Sequence, residues 1–190
     1  MVNAIRSYPF EGKLPPKPVV ALTGRSNVGK SSLLNRLVGR SVAAVSRQPG
    51  RTRKIWLYEA EKAFLWADLP GYGYAAVPET QRHLWLQQNI RFLETVRPVV
   101  CVLVDSRLPP QQLDLNWVAR IERLALPYLI LATKADTLSQ AQRHHQRRIL
   151  LEAFPRAVWK GFVSARSGEG IQEMKVWIYS FLHSYGKSLL

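Results

Sequence analysis

Gly24, Gly29, Lys30 and Ser31 stand in the spacing Gly-x4-Gly-Lys-Ser within GRSNVGKSS, after the apolar run Val19-Val20-Ala21-Leu22 and before the helical repeat Leu33-Leu34-Leu37. Glycines at these positions let the backbone curl until successive N–H groups point inward. A helix starting there adds roughly half a positive charge at its N-terminus. The pattern therefore predicts a cradle for a polyphosphate, with Arg25, Ser26, Asn27 and Val28 forming its inner turn. Lys30 is placed to reach the β- and γ-phosphates, the Ser31 hydroxyl to ligate magnesium, and Ser32 to start the helix.

Four further stretches supply what such a cradle needs. In DLPGYGYA, Asp68 ends a strand-like run and is placed to hold magnesium through water, while the Gly71 N–H is placed to sense the γ-phosphate. In RQPGRTRK (47–54), Gly50 and Thr52 lie between the first helix and the second strand. Thr52 is read as closing over the γ-phosphate and completing the magnesium shell, so that its order follows that phosphate. Lys30, Thr52 and Gly71 are thus the expected catalytic set. In LATKAD (131–136), Asp136 can accept from guanine N1–H and the 2-amino group, and Lys134 can lay its stem across the base. Adenine offers neither donor, and sites built on such bonds reject the wrong analogue by about 10⁴-fold or more. In VSARSG (163–168), Ser164 is a further nucleotide-binding candidate and the Ala165 N–H is placed at the guanine carbonyl, a stretch that carries little information by itself. Together the five stretches predict GTP and GDP as ligands, with Mg2+.

These loops need a scaffold that brings them together. Apolar runs at 18–23, 54–58, 63–67, 99–104, 127–132 and 157–163 read as strands. Helical patterns near 30–38, 79–95, 111–124, 139–153 and 170–184 alternate with them. The expected architecture is an α/β sheet of six strands, mostly parallel, with helices on both faces. The short gap between the second and third strands predicts a hairpin, hence one antiparallel edge strand. In open α/β sheets, ligands sit beyond the carboxyl ends of the strands. Residues 1–17, with Pro9, Pro15 and Pro16, read as an extended arm before one domain over 18–190.

Composition narrows the partner. The 190 residues carry a net charge of +14, and the chain up to Tyr58 holds eleven Lys and Arg against Glu11 alone. A second basic stretch, QRHHQRR, spans 142–148. Such an imbalance points to a polyanion, with RNA favoured because neither an amphipathic basic helix nor a lipidation signal points to a membrane. The absence of an apolar signal core predicts a cytoplasmic protein. Cys101, the one cysteine, lies inside an apolar run and is expected as a buried, inert thiol.

The strings GRSNVGKSSLLN, PGRTR, DLPGYGYA, VDSRLPPQQLDL and TKAD followed by LSQAQR resemble translation-factor-class GTPases of Ras-like fold, and more narrowly the EngB family, also called YihA or YsxC, of ribosome-biogenesis GTP-binding proteins. The resemblance runs from about residue 15 to the C-terminus. It implies a monomeric P-loop GTPase that assists assembly of the large ribosomal subunit by binding its precursor or rRNA. Thr133 stands where other GTPases have asparagine, a substitution the family shares, which implies a weakened contact to the purine or the phosphate loop and moderate affinity. Tyr72 stands where Ras-like proteins place the glutamine that orients water, so slow intrinsic hydrolysis is expected. Asn27 matches the asparagine that coordinates K+ in cation-dependent GTPases; a potassium ligand and a plain loop-bracing amide are both open readings. A GTP-hydrolysing assembly factor and a nucleotide-gated RNA-binding module with incidental turnover both fit these residues, whereas TKAD disfavours an ATP-using kinase.

Overall fold

Runs such as VVALTG and VVCVLVD have no polar face to give to water, so they must lie between two layers of helices. The computed structural model, which describes residues 3–7, 16–39, 54–59, 62–73 and 78–187, shows this arrangement. Its strands are β1 (Asn3–Ser7), β2 (Val19–Gly24), β3 (Trp56–Glu59), β4 (Leu65–Asp68), β5 (Val99–Asp105), β6 (Tyr128–Thr133) and β7 (Trp159–Phe162). The helices are α1 (Lys30–Val38), α2 (Glu79–Val96), α3 (Gln112–Arg123), α4 (Gln140–Ala153) and α5 (Ile171–Lys187). One sheet contains all the strands in the order β1-β3-β4-β2-β5-β6-β7.

The six expected strands are present, and a seventh is added. Asn3–Ser7, part of the stretch expected as an extended arm, pairs antiparallel with β3, setting Asn3 opposite Glu59 and Ser7 opposite Trp56. It covers a row of backbone N–H and C=O groups that β3 would otherwise leave unpaired. Among the described strands, only β3 runs against the others, being antiparallel to both β4 and β1. The single reversed strand is therefore one place in from the edge.

Alternation along the central strands builds two cores. Val19 and Ala21 of β2, with Val100, Val102 and Val104 of β5, face Phe92, Trp117, Ile121 and Leu150 of α2, α3 and α4. Val20, Leu22, Val99, Cys101 and Leu103 face Leu33, Leu34 and Leu37 of α1 and Met174 and Ile178 of α5. Each side chain of this size withdrawn from water contributes about 1.5–3 kcal/mol, which fixes strand register, since a one-residue slip would exchange the two faces. Burial also pushes the Cys101 thiol well above its ordinary pKa, as expected of an inert cysteine. No helix among the described residues is long and apolar enough to cross a membrane.

Because β2, β4, β5, β6 and β7 are mutually parallel, their carboxyl ends share one edge of the sheet. The chain leaves β2 outward to β3 and β4, then crosses back to β5 on the other side of β2. This places the loop after β2 at the topological switch point, the place where open α/β sheets bind their ligands.

Candidate functional site

The loop after β2 is shaped by where side chains do not fit. A Cβ on Gly24 would lie 2.9 Å from both the Leu103 carbonyl oxygen and Val28 Cγ1, so only glycine passes between β5 and the turn. Asn27 and Gly29 then take φ values of 62° and 104°, which reverse the chain into α1. Lys30, the first residue of that helix, is buried at 7% exposure and forms an ion pair with Asp68 Oδ1 at the end of β4. Two carboxyl ends, β2 and β4, thus deliver an ammonium and a carboxylate to one point beside the half-buried Ser31 and Ser32.

The turn after Asp68 is laced to this loop through the backbone. Tyr72 N–H donates to the Gly24 carbonyl at 3.2 Å, and Ser26 N–H donates to the Tyr72 carbonyl at 3.1 Å. Gly71 is buried next to this bridge. The Tyr72 phenol donates to Asp114 Oδ1 at 3.0 Å, and Arg25 Nε lies 3.0 Å from both Asp114 oxygens. Burial first, then the Asp114 charge, pushes the phenol pKa well above its ordinary value, so it stays a donor. Held in this way, Tyr72 braces the phosphate loop against α3.

On the other flank, β6 and β7 deliver the residues expected to meet the base. Thr133 Oγ1 lies 2.6 Å from the Val28 carbonyl and 3.1 Å from that of Val104. The Thr133 hydroxyl thus reaches the phosphate loop directly. Lys134, at φ 61°, places Nζ 2.9 Å from the Asn27 carbonyl and 2.8 Å from Asp105 Oδ2. Asp136 is exposed and accepts from Ser164 Oγ at 2.6 Å. Ser164 is fully buried, and its Oγ accepts in turn from the N–H groups of Arg166 at 3.2 Å and Ser167 at 3.1 Å. This turn also sets Ala165, half-buried, beside Asp136 in the same loop cluster. Arg143 of α4 clamps the cluster from behind through the Ala135 carbonyl at 2.7 Å and the Glu169 carboxylate.

The structure therefore brings Gly24, Arg25, Ser26, Asn27, Val28, Gly29, Lys30, Ser31, Asp68, Gly71, Thr133, Lys134, Asp136 and Ser164 to one edge of the sheet. Gly50 and Thr52 lie outside the described residues. Two carboxylates that brace the site carried no assigned role in the sequence. Asp105 accepts from Arg107 N, Nε and Nη2 at 3.1, 2.8 and 2.7 Å as well as from Lys134. Burial opposes its ionisation, but the Arg107 and Lys134 bonds outweigh this and hold it well below the usual carboxylate range. Asp114, fully buried, is the other. Both fall inside VDSRLPPQQLDL, and that clustering of acids among prolines was the available signal.

Thr133→Val keeps the shape of the side chain but leaves the Val28 carbonyl without this donor. A buried group so orphaned costs about 1–3 kcal/mol. The expected result is a matching loss in urea unfolding and release of a fluorescent GDP analogue accelerated several-fold. An unchanged release rate would show that this bond does not shape the phosphate loop.

The profile of a protein family described as "50S ribosome-binding GTPase" matches residues 19–134. A protein of Pelotomaculum thermopropionicum named "Probable GTP-binding protein EngB" is 43% identical over 162 residues, 83% of this chain and 82% of that protein. The protein of the same name from Thermotoga maritima is 39% identical over 179 residues, 91% of this chain and 92% of that one. A crystal structure of a probable GTP-binding protein engB superposes with a TM-score of 0.75 at 25% identity, over 87% of this chain and 99% of that chain. Era in complex with MgGDPNP and a segment of 16S ribosomal RNA shares the fold, with a TM-score of 0.72 at 23% identity over 85% of this chain and 55% of that one.

Proposed function

Since the chain belongs to the EngB family of GTP-binding proteins and is a GTPase, we propose that it assists assembly of the large ribosomal subunit, binding precursor rRNA in a manner set by its nucleotide. The observation that carries this reading is the convergence of the phosphate loop, Asp68 and the Asp136–Ser164 pair at one sheet edge, in a chain of net charge +14. The first two suit a triphosphate and the third suits guanine. The charge suits RNA.

In this reading the backbone of Gly24 to Gly29 cradles the phosphates, and Lys30 swings from Asp68 to the β- and γ-phosphates when nucleotide enters. Ser31 and Asp68 would hold Mg2+, together with Thr52. The residues present fit that ion: the buried Asp68 carboxylate already holds a cationic group, the Lys30 ammonium, one residue from the Ser31 hydroxyl. Bound there, magnesium would neutralise charge developing on the phosphates. Gly71 N–H senses the γ-phosphate, and Ser164 aims Asp136 at the guanine edge while Ala165 N–H meets its carbonyl oxygen. Asn27, exposed at its positive φ, is the proposed K+ ligand.

Tyr72 favours a second reading. Its phenol is committed to Asp114, so no side chain at that position orients an attacking water, and intrinsic turnover is slow. The protein then acts as a nucleotide-gated RNA-binding module with negligible intrinsic hydrolysis. Single-turnover hydrolysis with and without large-subunit particles separates the two: particle-stimulated hydrolysis supports the assembly GTPase, and binding without stimulation supports the gated module.

The loop at 47–54 offers a direct test of nucleotide-set RNA affinity. Every protein–phosphate ion pair that is removed flattens the log-affinity against log-salt plot by about 0.7–0.9. Arg51→Ala with Arg53→Ala is expected to flatten that slope for particles in the GTP state, with much less change in the GDP state and near-normal nucleotide affinity. Equal slopes in both states would remove this loop from the interface and move the search to Arg143, Arg147 and Arg148.

A further inference from the structure

Between α2 and α3, beside the turn at Gly71 to Gly73, lies a cavity of about 500 Å³, within the ~300–1,000 Å³ usual for small-ligand sites. Its walls include the rings of Tyr72 and Trp117, whose centroids are 5.5 Å apart with 35° between their planes. Two of the residues that line it each carry a buried polar atom with no hydrogen-bond partner among the described residues. One is Asn89 Oδ1, an acceptor on a residue 2% exposed whose Nδ2 donates to the Pro70 carbonyl at 2.9 Å. The other is Trp117 Nε1, a donor on a residue 3% exposed. Buried groups are nearly always paired, so an unmet donor and an unmet acceptor on one cavity mark a place for a polar ligand. Arg82 and Arg120 also line it, neither ion-paired among the described residues, with Glu79 the one carboxylate among the described residues of its walls.

We propose that this cavity receives an unstacked base of single-stranded RNA, its flanking phosphates held by Arg82 and Arg120. A base has a π-face for Tyr72 and Trp117, and an edge that carries donors and acceptors side by side for Asn89 and Trp117. A phenylalanine or leucine from a protein partner would leave both polar groups unmet. The excess of arginine at the cavity and the +14 charge of the chain select the polyanion. Tyr72 connects the cavity to the nucleotide site, because its ring forms the wall while its backbone bridges to Gly24 and Ser26. The proposal rests on the RNA-binding reading above and adds where, and by what chemistry, a base is held.

The test uses the full chain loaded with a non-hydrolysable GTP analogue and a single-stranded hexaribonucleotide carrying 2-aminopurine at its third position. A second hexamer, abasic at that position, reports backbone binding alone. The intact strand is expected to bind about tenfold tighter than the abasic one, with quenched 2-aminopurine emission. Trp117→Phe should remove most of that advantage while leaving abasic binding unchanged. Arg82→Gln with Arg120→Gln should weaken both strands alike. Leu113, half-exposed on the cavity wall, gives a variant that spares the core: Leu113→Trp should fill the opening and abolish the base-dependent gain. Equal binding of intact and abasic strands by the wild type would overturn the base pocket and leave RNA binding standing. Failure to bind either strand would overturn the RNA-binding reading with it. A free nucleoside monophosphate binding as tightly as the hexamer would assign the cavity to a soluble nucleotide and overturn RNA as its source.

Discussion

Asp136→Asn is expected to exchange guanine preference for xanthine preference, with the ratio of the two affinities changing by about 10⁴-fold or more. The structure explains why this substitution should act on the ligand and not on the fold. Asp136 is exposed in the short turn after β6, and its one hydrogen bond among the described residues takes the Ser164 hydroxyl on Oδ1. An asparagine keeps that acceptor. Its amide then presents a donor where the carboxylate accepted, which opposes the guanine 2-amino group and suits the xanthine carbonyl. Competition between GDP and xanthosine diphosphate for the variant measures the exchange directly. Unchanged GDP affinity with no gain for the xanthine nucleotide would remove Asp136 from the base site. Ser164→Ala should weaken guanine binding more modestly, since it frees the carboxylate to turn and leaves the Arg166 and Ser167 N–H groups without their acceptor.

The two ends of this site were not equally legible. GRSNVGKSS could be read locally because its chemistry is local: Gly24, Gly29 and Lys30 act through backbone shape and a helix start within eight residues. The parallel strands were legible for a similar reason, since β2, β5 and β6 are buried on both faces and so read as unbroken apolar runs. Asp114 was not legible, because its partners Arg25 and Tyr72 are 89 and 42 residues away and only the sheet order brings them near. Thr133 was not legible as a brace of the phosphate loop for the same cause. Its hydroxyl meets a carbonyl 105 residues earlier, a distance in sequence that no spacing rule spans. β1 shows the limit from the other side: NAIRS becomes a strand because β3 offers it an open edge, not because of a pattern of its own. Local rules picked out the groups expected to touch a ligand, whereas tertiary pairing supplied the groups that hold them still.

Lys30→Ala carries the largest expected effect because two tasks are expected of Lys30, and they can be separated. In the structure the ammonium is paired with Asp68, with Lys30 7% and Asp68 2% exposed. Removing one member of a buried pair strands the other charge and costs about 3–5 kcal/mol. For a chain of this size that lowers Tm by roughly 6–20 °C in the absence of nucleotide. The same variant should lose most of its GTP affinity, since the charge that meets the β- and γ-phosphates is gone. Reduced affinity alone would be ambiguous, because an unstable site also binds poorly. Lys30→Met with Asp68→Asn, assayed without Mg2+ because Asp68 is itself a proposed ligand of that ion, resolves this, for the pair is then replaced by neutral groups of similar size and no buried charge is stranded. Thermal unfolding of the double variant without nucleotide should return most of the way to wild type, while GTP affinity stays low. If affinity recovers together with stability, Lys30 serves only to neutralise Asp68 and the loop after β2 is not a phosphate site.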